Sequence, residues 1–172
     1  MEIKTKVIDN YLEEDYFQHL KDIMVWGDMP YQLCKKVSGQ ERLNGDHQHW
    51  YWYGTYLLYN RNEPAAPAFE HIRGLMNKIV CDDYGYGFIR AKVNFYPWTK
   101  NVYEHGSHVD YDFPTYGAVL SLNTCDGFTR LHDGTKINSV ENRIVFFDSS
   151  KPHNSSTTSN EPGRFNINLN FR

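Results

Sequence analysis

The chain has 172 residues, 40% of them hydrophobic, and a formal net charge of −3, enough sequence for one domain with its own core. Lysines and arginines are scattered rather than massed in a basic stripe, so no nucleic-acid partner is indicated. No window approaches the roughly 20 apolar residues of a membrane span and the N-terminus has no apolar leader core, so no membrane partner is expected. The cysteines Cys34, Cys81 and Cys125 are odd in number and far apart. That spacing fits a reducing, cytoplasmic setting better than a disulfide framework, and no CxxC pair offers a structural zinc site.

Residues 3–8 read as a short strand. Residues 12–26 place Tyr16, Leu20, Ile23 and Met24 on one helical face, with acids in the first turn where the helix dipole favours them. Residues 28–48 are polar and turn-rich and read as loop, and residues 49–59 (HWYWYGTYLLY) as an aromatic strand. After a break at 60–67, residues 68–80 form a second amphipathic helix through Phe69, Ile72, Leu75, Met76 and Ile79. From residue 88 the period changes to two. In FIRAKVNFY, Ile89, Ala91, Val93 and Phe95 share one face and Arg90, Lys92, Asn94 and Tyr96 the other. Further strands are predicted at 116–123, 128–134, 142–148 and 164–171. Helices followed by a run of short strands give an α+β, mainly β, layout. Residues 1–172 are expected to form a single domain, with a helical and rim region at 1–87 and the sheet core at 88–172.

The last strand carries the first chemical signal. Phe165, Ile167, Leu169 and Phe171 alternate with Arg164, Asn166, Asn168 and Asn170. Asparagine is a poor strand former, so three beside an arginine point to a polar cavity rather than to a solvated edge. Upstream, His108 and Asp110 form an HxD pair, whose side chains share one face of an extended segment. His153 follows just beyond the apolar strand RIVFF. Two imidazoles and one carboxylate are the donor set that holds non-haem Fe(II) and leaves positions open. HxD alone is common by chance; HxD, then His, then Arg, all at strand ends, is far more specific. His105 lacks an i+2 carboxylate and reads as a loop residue near the site. His47 and His49 make an HxH pair without a suitably spaced glutamate, and His19, His71 and His132 read as structural. Arg164 carries a rigid guanidinium fork suited to one end of a dicarboxylate.

These residues resemble the Fe(II)/2-oxoglutarate-dependent oxygenases, in the prolyl 4-hydroxylase-like branch. The matching stretch runs RAKVNFYP, HVDY, YGAVLSLN, DGFTRL, NRIVFFDSSKPHNSS and GRFNINLNF, about half of the chain. The resemblance implies a double-stranded β-helix, a cupin-like jelly-roll, with N-terminal helices packed on it. It implies iron bound by His108, Asp110 and His153, and the distal carboxylate of 2-oxoglutarate held by Arg164. Tyr96, Asn94, Ser121 and Asn168 would complete the co-substrate pocket. The chain departs from the branch at Ser121, where a tyrosine is frequent, at Asn168 and Asn170, and at Asp126-Gly127 in place of Gly-Gly. The pocket is therefore expected to be rich in amides. The implied activity is hydroxylation of an unactivated C–H bond using O2, with succinate and CO2 released. A peptide or protein substrate, a prolyl residue first, or a small molecule would meet the aromatic rim at 49–59. The loop at 28–48 is expected to order over it. The alternative is a cupin-like metal- or carboxylate-binding module without turnover.

Overall fold

A computed structural model describes residues 3–37 and 52–172. Residues 38–48 of the expected lid, with His47, and residues 49–51 of the expected aromatic strand, with His49, Trp50 and Tyr51, lie outside the described residues.

The chain opens with strand β1 (Lys6–Ile8) and helix α1 (Glu14–Lys21), which continues as a π-helical turn over Asp22–Trp26. Glu14 and Asp15 occupy the first turn of α1, and Phe17 and Leu20 are buried from it. The π turn stops at Gly27, where a β-carbon would collide with the carbonyl oxygen of Ile23. The single helix expected over 12–26 is thus an α segment followed by a wider turn. Next come β2 (Gln32–Cys34), β3 (Tyr53–Asn60), β4 (Glu63–Pro64) and helix α2 (Phe69–Cys81). Helix α2 buries Phe69, Ile72, Leu75, Met76 and Ile79, the five residues its periodicity selects.

The remaining strands are β5 (Arg90–Pro97), β6 (Tyr116–Ser121), β7 (Phe128–Arg130), β8 (Lys136–Asn138), β9 (Ile144–Asp148), β10 (Asn154–Ser155) and β11 (Gly163–Phe171). The larger sheet runs in the order β1-β9-β6-β11-β5-β3-β2, with β4 added to β3. The smaller is β10-β7-β8, and single bridges such as Glu104↔Ser156 and His108↔His153 prolong its line of pairing. All strand pairs are antiparallel. The architecture is a jelly-roll double-stranded β-helix with two helices.

Alternation along the strands divides the larger sheet into two chemistries. Ala91 and Val93 of β5, Ala118 and Leu120 of β6, Ile144 and Phe146 of β9, and Ile167, Leu169 and Phe171 of β11 join Phe17, Leu20, Met24, Ile72, Leu75 and Ile79 of the helices in one core. Each of these side chains larger than alanine contributes about 1.5–3 kcal/mol by leaving water, and together they fix which face of the sheet meets the helices. A one-residue slip of register would turn the asparagines of β11 into that core. The opposite face looks towards the smaller sheet. There Val119, Leu131, Val145 and Phe147 form a small apolar cluster, and the rest of the space is polar.

Strand β11 is central, flanked by β6 and β5. Arg164, Asn166, Asn168 and Asn170 are all buried. Arg164, Asn166 and Asn168 line a cavity, as the composition of that face predicts, and Asn170 is buried beyond it.

Candidate functional site

Asp110 and His108 come from the segment between β5 and β6, and His153 from the turn between β9 and β10. Backbone pairing brings the histidines together: His108 N donates to His153 O at 3.1 Å and His153 N to His108 O at 2.9 Å. Asp110 N donates to Ser149 O at 2.9 Å, which anchors the other end of the HxD pair. One ligand atom from each of His108, Asp110 and His153 lies within 4.8 Å of the others. Nδ1 of His153 sits 3.0 Å from the Lys151 carbonyl oxygen, and Nδ1 of His108 sits 3.4 Å from that of Gly106. Donation to those carbonyls places the proton on Nδ1 and leaves Nε2 with a lone pair, the tautomer a metal needs. Phe147 meets the His153 ring edge-on at 4.9 Å between centroids and limits its rotation.

Asp110 is held from both sides. Arg90 Nη2 donates to Oδ1 at 3.0 Å, and Asn170 Nδ2 to Oδ2 at 2.9 Å. Arg90 also donates to Asn170 Oδ1 through Nη2 at 2.8 Å and Nε at 3.2 Å. The three side chains form one connected unit. Burial opposes ionisation of Asp110, but Arg90, then His153 and the Asn170 amide, bring its pKa below the ordinary carboxylate value. Burial and the neighbouring His153 lower the pKa of His108. The triad thus presents two imidazole nitrogens and one carboxylate, with lone pairs still open on both carboxylate oxygens. That donor set fits Fe(II) with open coordination positions.

Arg164 lies at the other end of the cavity, 1% exposed. Its Nη2 donates to Thr129 Oγ1 at 2.8 Å and its Nη1 to the Ser156 carbonyl at 3.4 Å, while Nε is buried with no partner. Its carbon Cζ is 5.5 Å from the Tyr96 ring centroid. Burial lowers its pKa, yet a guanidinium stays protonated at physiological pH. Among the described residues no carboxylate pairs with it. A buried cation with an orphaned N–H calls for an anion. The room is fixed from behind by Gly127, where a β-carbon would stand 2.7 Å from both Arg164 Cδ and Thr157 O.

Between the two ends one cavity is lined by Lys92, Asn94, Tyr96, Asn166 and Asn168, and it also takes in His108, Asp110, His153 and Arg164. Asn94 Nδ2 donates to Asn166 Oδ1 at 3.1 Å across β5 and β11. Of the residues singled out from sequence, Ser121 is the one that does not line the cavity. It lies opposite Asn166 in the strand register, and its hydroxyl is too short to reach past that amide. His105 is buried rather than on an open loop, with Nδ1 2.9 Å from Ser155 Oγ. His19 and His71 pair with each other on the surface, 3.1 Å between ring nitrogens.

Sequence reasoning assigned no role to Arg90, Lys92 or Thr129. The first two share the polar face of β5 with Asn94 and Tyr96, which was the available signal. Burial, with the nearby Arg90 cation, lowers the Lys92 pKa to about 8. The rim is split by strand alternation. Tyr53 lines the cavity and stacks on Tyr96 at 5.8 Å, whereas Trp52 turns edge-on to Phe95 and Tyr56 packs on the helix-side core. Val37, from the stretch expected to be a lid, also reaches the cavity.

No family model and no curated protein matches the sequence. Solved structures do match the fold. An oxidoreductase of the 2OG-Fe(II) oxygenase family from Burkholderia pseudomallei superposes with a TM-score of 0.72 at 12% identity, covering 96% of this chain and 84% of that one. A prolyl-4-hydroxylase from Pseudomonas putida gives 0.66 at 18% identity, covering 99% and 92%. A Trichoplax adhaerens prolyl hydroxylase in complex with a hypoxia-inducible-factor degradation-domain peptide gives 0.66 at 14%, covering 97% and 82%. The chain has the double-stranded β-helix fold of the 2OG-Fe(II) oxygenases, in the form found in prolyl hydroxylases.

Proposed function

We propose that the protein is an Fe(II)- and 2-oxoglutarate-dependent dioxygenase that hydroxylates an unactivated C–H bond. The observation that carries this reading is the pairing of two features in one cavity. A His108–Asp110–His153 donor set stands at one end, and at the other a buried guanidinium, Arg164, with no carboxylate partner among the described residues. Bound Fe(II), with 2-oxoglutarate and O2, supplies the oxidising power and releases succinate and CO2.

The chain's own residues bind and orient. His108, Asp110 and His153 hold the metal on one side and leave the other open. Arg90 and Asn170 keep the Asp110 carboxylate ionised and fixed in direction. The carbonyls of Gly106 and Lys151 select the ring tautomers. Arg164, seated by Thr129, clamps the distal carboxylate of 2-oxoglutarate, and Tyr96, Asn94 and Asn168 flank its chain. The primary substrate enters past Tyr53. A peptidyl residue, proline first, is favoured because rigid aromatic surfaces such as Tyr53 stacked on Tyr96 suit peptide contacts.

The test is succinate formation by the purified protein, followed with and without Fe(II) and 2-oxoglutarate. Turnover that needs both, and that His108→Ala abolishes, supports the proposal. A protein that binds metal and 2-oxoglutarate but forms no succinate with any peptide or small-molecule pool is the binding module instead.

A further inference from the structure

Lys92 and Arg164 line the cavity and Arg90 braces Asp110, and two of these three cations have structural employment. Arg90 is bonded to Asp110 and Asn170, and Arg164 to Thr129 and Ser156. Lys92 has none. Its ammonium makes no hydrogen bond or ion pair among the described residues; it stands 5.6 Å from the Tyr53 ring centroid and feels the Asp110 carboxylate without touching it. It lines the same cavity as His108 and Asp110. In register it pairs with Asn168, one inward step from the Arg90–Asn170 pair that holds Asp110. Asn168 also lines the cavity, and its Oδ1 is buried without a partner. The two carbonyl-like and amide atoms of an asparagine are interchangeable by a flip, so Asn168 can present an N–H beside the Lys92 ammonium.

We propose that Lys92, with Asn168, anchors a carboxylate next to the metal-binding triad, a second anion subsite distinct from Arg164. The charge balance favours one. A divalent metal, Asp110, Arg90 and Lys92 sum to three positive charges in a partly buried space. One carboxylate there leaves two. The depressed Lys92 pKa points the same way, because burial and the nearby Arg90 cation disfavour its charge by more than Asp110 and Cys34 restore. The carboxylate has two possible sources: the metal-proximal end of 2-oxoglutarate, or an acidic group on the primary substrate. The inference rests on the oxygenase reading for the metal.

The experiment uses the full chain loaded with Zn(II), which binds without turnover. Calorimetry gives the 2-oxoglutarate affinity of wild type, Lys92→Met and Lys92→Arg. Acetic anhydride labelling of Lys92 in wild type, read by mass spectrometry, is run alone, with 2-oxoglutarate, and with N-acetyl-L-aspartate added to the 2-oxoglutarate-loaded protein. If the co-substrate is the source, Lys92→Met weakens 2-oxoglutarate by roughly 10- to 100-fold, the worth of a charge-assisted hydrogen bond. Lys92→Arg then restores most of it, and 2-oxoglutarate shields Lys92. The affinity of 4-oxopentanoate, which lacks the proximal carboxylate, is the same in wild type and Lys92→Met. If the primary substrate is the source, Lys92→Met leaves 2-oxoglutarate affinity unchanged, and only N-acetyl-L-aspartate shields Lys92. Absence of shielding by either anion, with unchanged affinities, overturns the proposal. A wild type that binds no 2-oxoglutarate sinks the oxygenase reading separately, and shielding by N-acetyl-L-aspartate still decides the role of Lys92.

Discussion

Replacing Arg164 by methionine separates the two ends of the cavity. Arg164 is 1% exposed, keeps an orphaned Nε, and has no carboxylate partner among the described residues. In the Zn(II)-loaded wild type, 2-oxoglutarate at a hundred times its Kd adds about 2.7 kcal/mol of stability by mass action. For a domain of this size that is a rise in Tm of roughly 5–10 °C. Arg164→Met removes the clamp on the distal carboxylate, a loss of about 2–5 kcal/mol when a charged partner is left unpaired. The Kd then rises by about 30-fold or more, and at the same 2-oxoglutarate concentration the stabilisation falls to about 1 kcal/mol or less. The ligand-free variant should fold at least as well as wild type, since methionine of similar length replaces an uncompensated buried cation. The shift caused by Zn(II) alone should persist, because the triad does not touch Arg164. Differential scanning fluorimetry of both proteins, ligand-free, with metal alone and with metal plus 2-oxoglutarate, measures the ligand-free stability and both shifts. A full 2-oxoglutarate-dependent shift in the variant refutes the clamp. Loss of the Zn(II) shift as well refutes the separation of the two ends.

Asp110→Asn removes the anionic ligand and should weaken Fe(II) binding by at least tenfold in an equilibrium dialysis measurement; unchanged affinity speaks against the triad. Lys92→Met should stabilise the ligand-free protein at pH 7 by about 1–3 kcal/mol, since a pKa lowered to about 8 from 10.5 is a penalty on the charged folded form. The sign follows from the depressed pKa: the penalty is complete below pH 8 and vanishes by pH 10.5. Chemical denaturation of both proteins at pH 7 and pH 10 should therefore show the gain shrinking, and a gain that grows with pH contradicts the buried-cation reading. Gly127→Ala places a methyl 2.7 Å from both Arg164 Cδ and Thr157 O. Overpacking of that kind costs about 1–3 kcal/mol, and calorimetry should find 2-oxoglutarate affinity falling far more than Zn(II) affinity.

Much of the cavity is legible in the sequence because strand alternation is a strict rule. Once β11 is read as a strand, Arg164, Asn166, Asn168 and Asn170 must share one face, and the first three of them line the cavity. The same rule places Arg90, Lys92, Asn94 and Tyr96 together on β5, and HxD on one side of its segment. Three things escaped. The register of β5 against β11 pairs Arg90 with Asn170, and with it the brace on Asp110. That is a non-local pairing to which no local pattern points. Strands β2, β4, β8 and β10, at two or three residues each, are too short to show a period, and β2 falls inside the stretch read as loop. The helix over 12–26 converts to a π turn at Asp22 and stops at Gly27 against the Ile23 carbonyl, a geometric detail that the spacing of apolar residues does not carry. Ser121 was assigned to the pocket from the resemblance alone, and its side-chain length takes it out of the wall.

The central claim is that His108, Asp110 and His153 hold a metal which 2-oxoglutarate then chelates from the open side, with Arg164 gripping the far end. Anaerobic addition of Fe(II) and 2-oxoglutarate to the purified protein tests it most directly. A weak visible metal-to-ligand charge-transfer band should appear only when both are present, and it should be lost in Asp110→Ala. Iron binding without that band, or a band that survives removal of Asp110, contradicts the account.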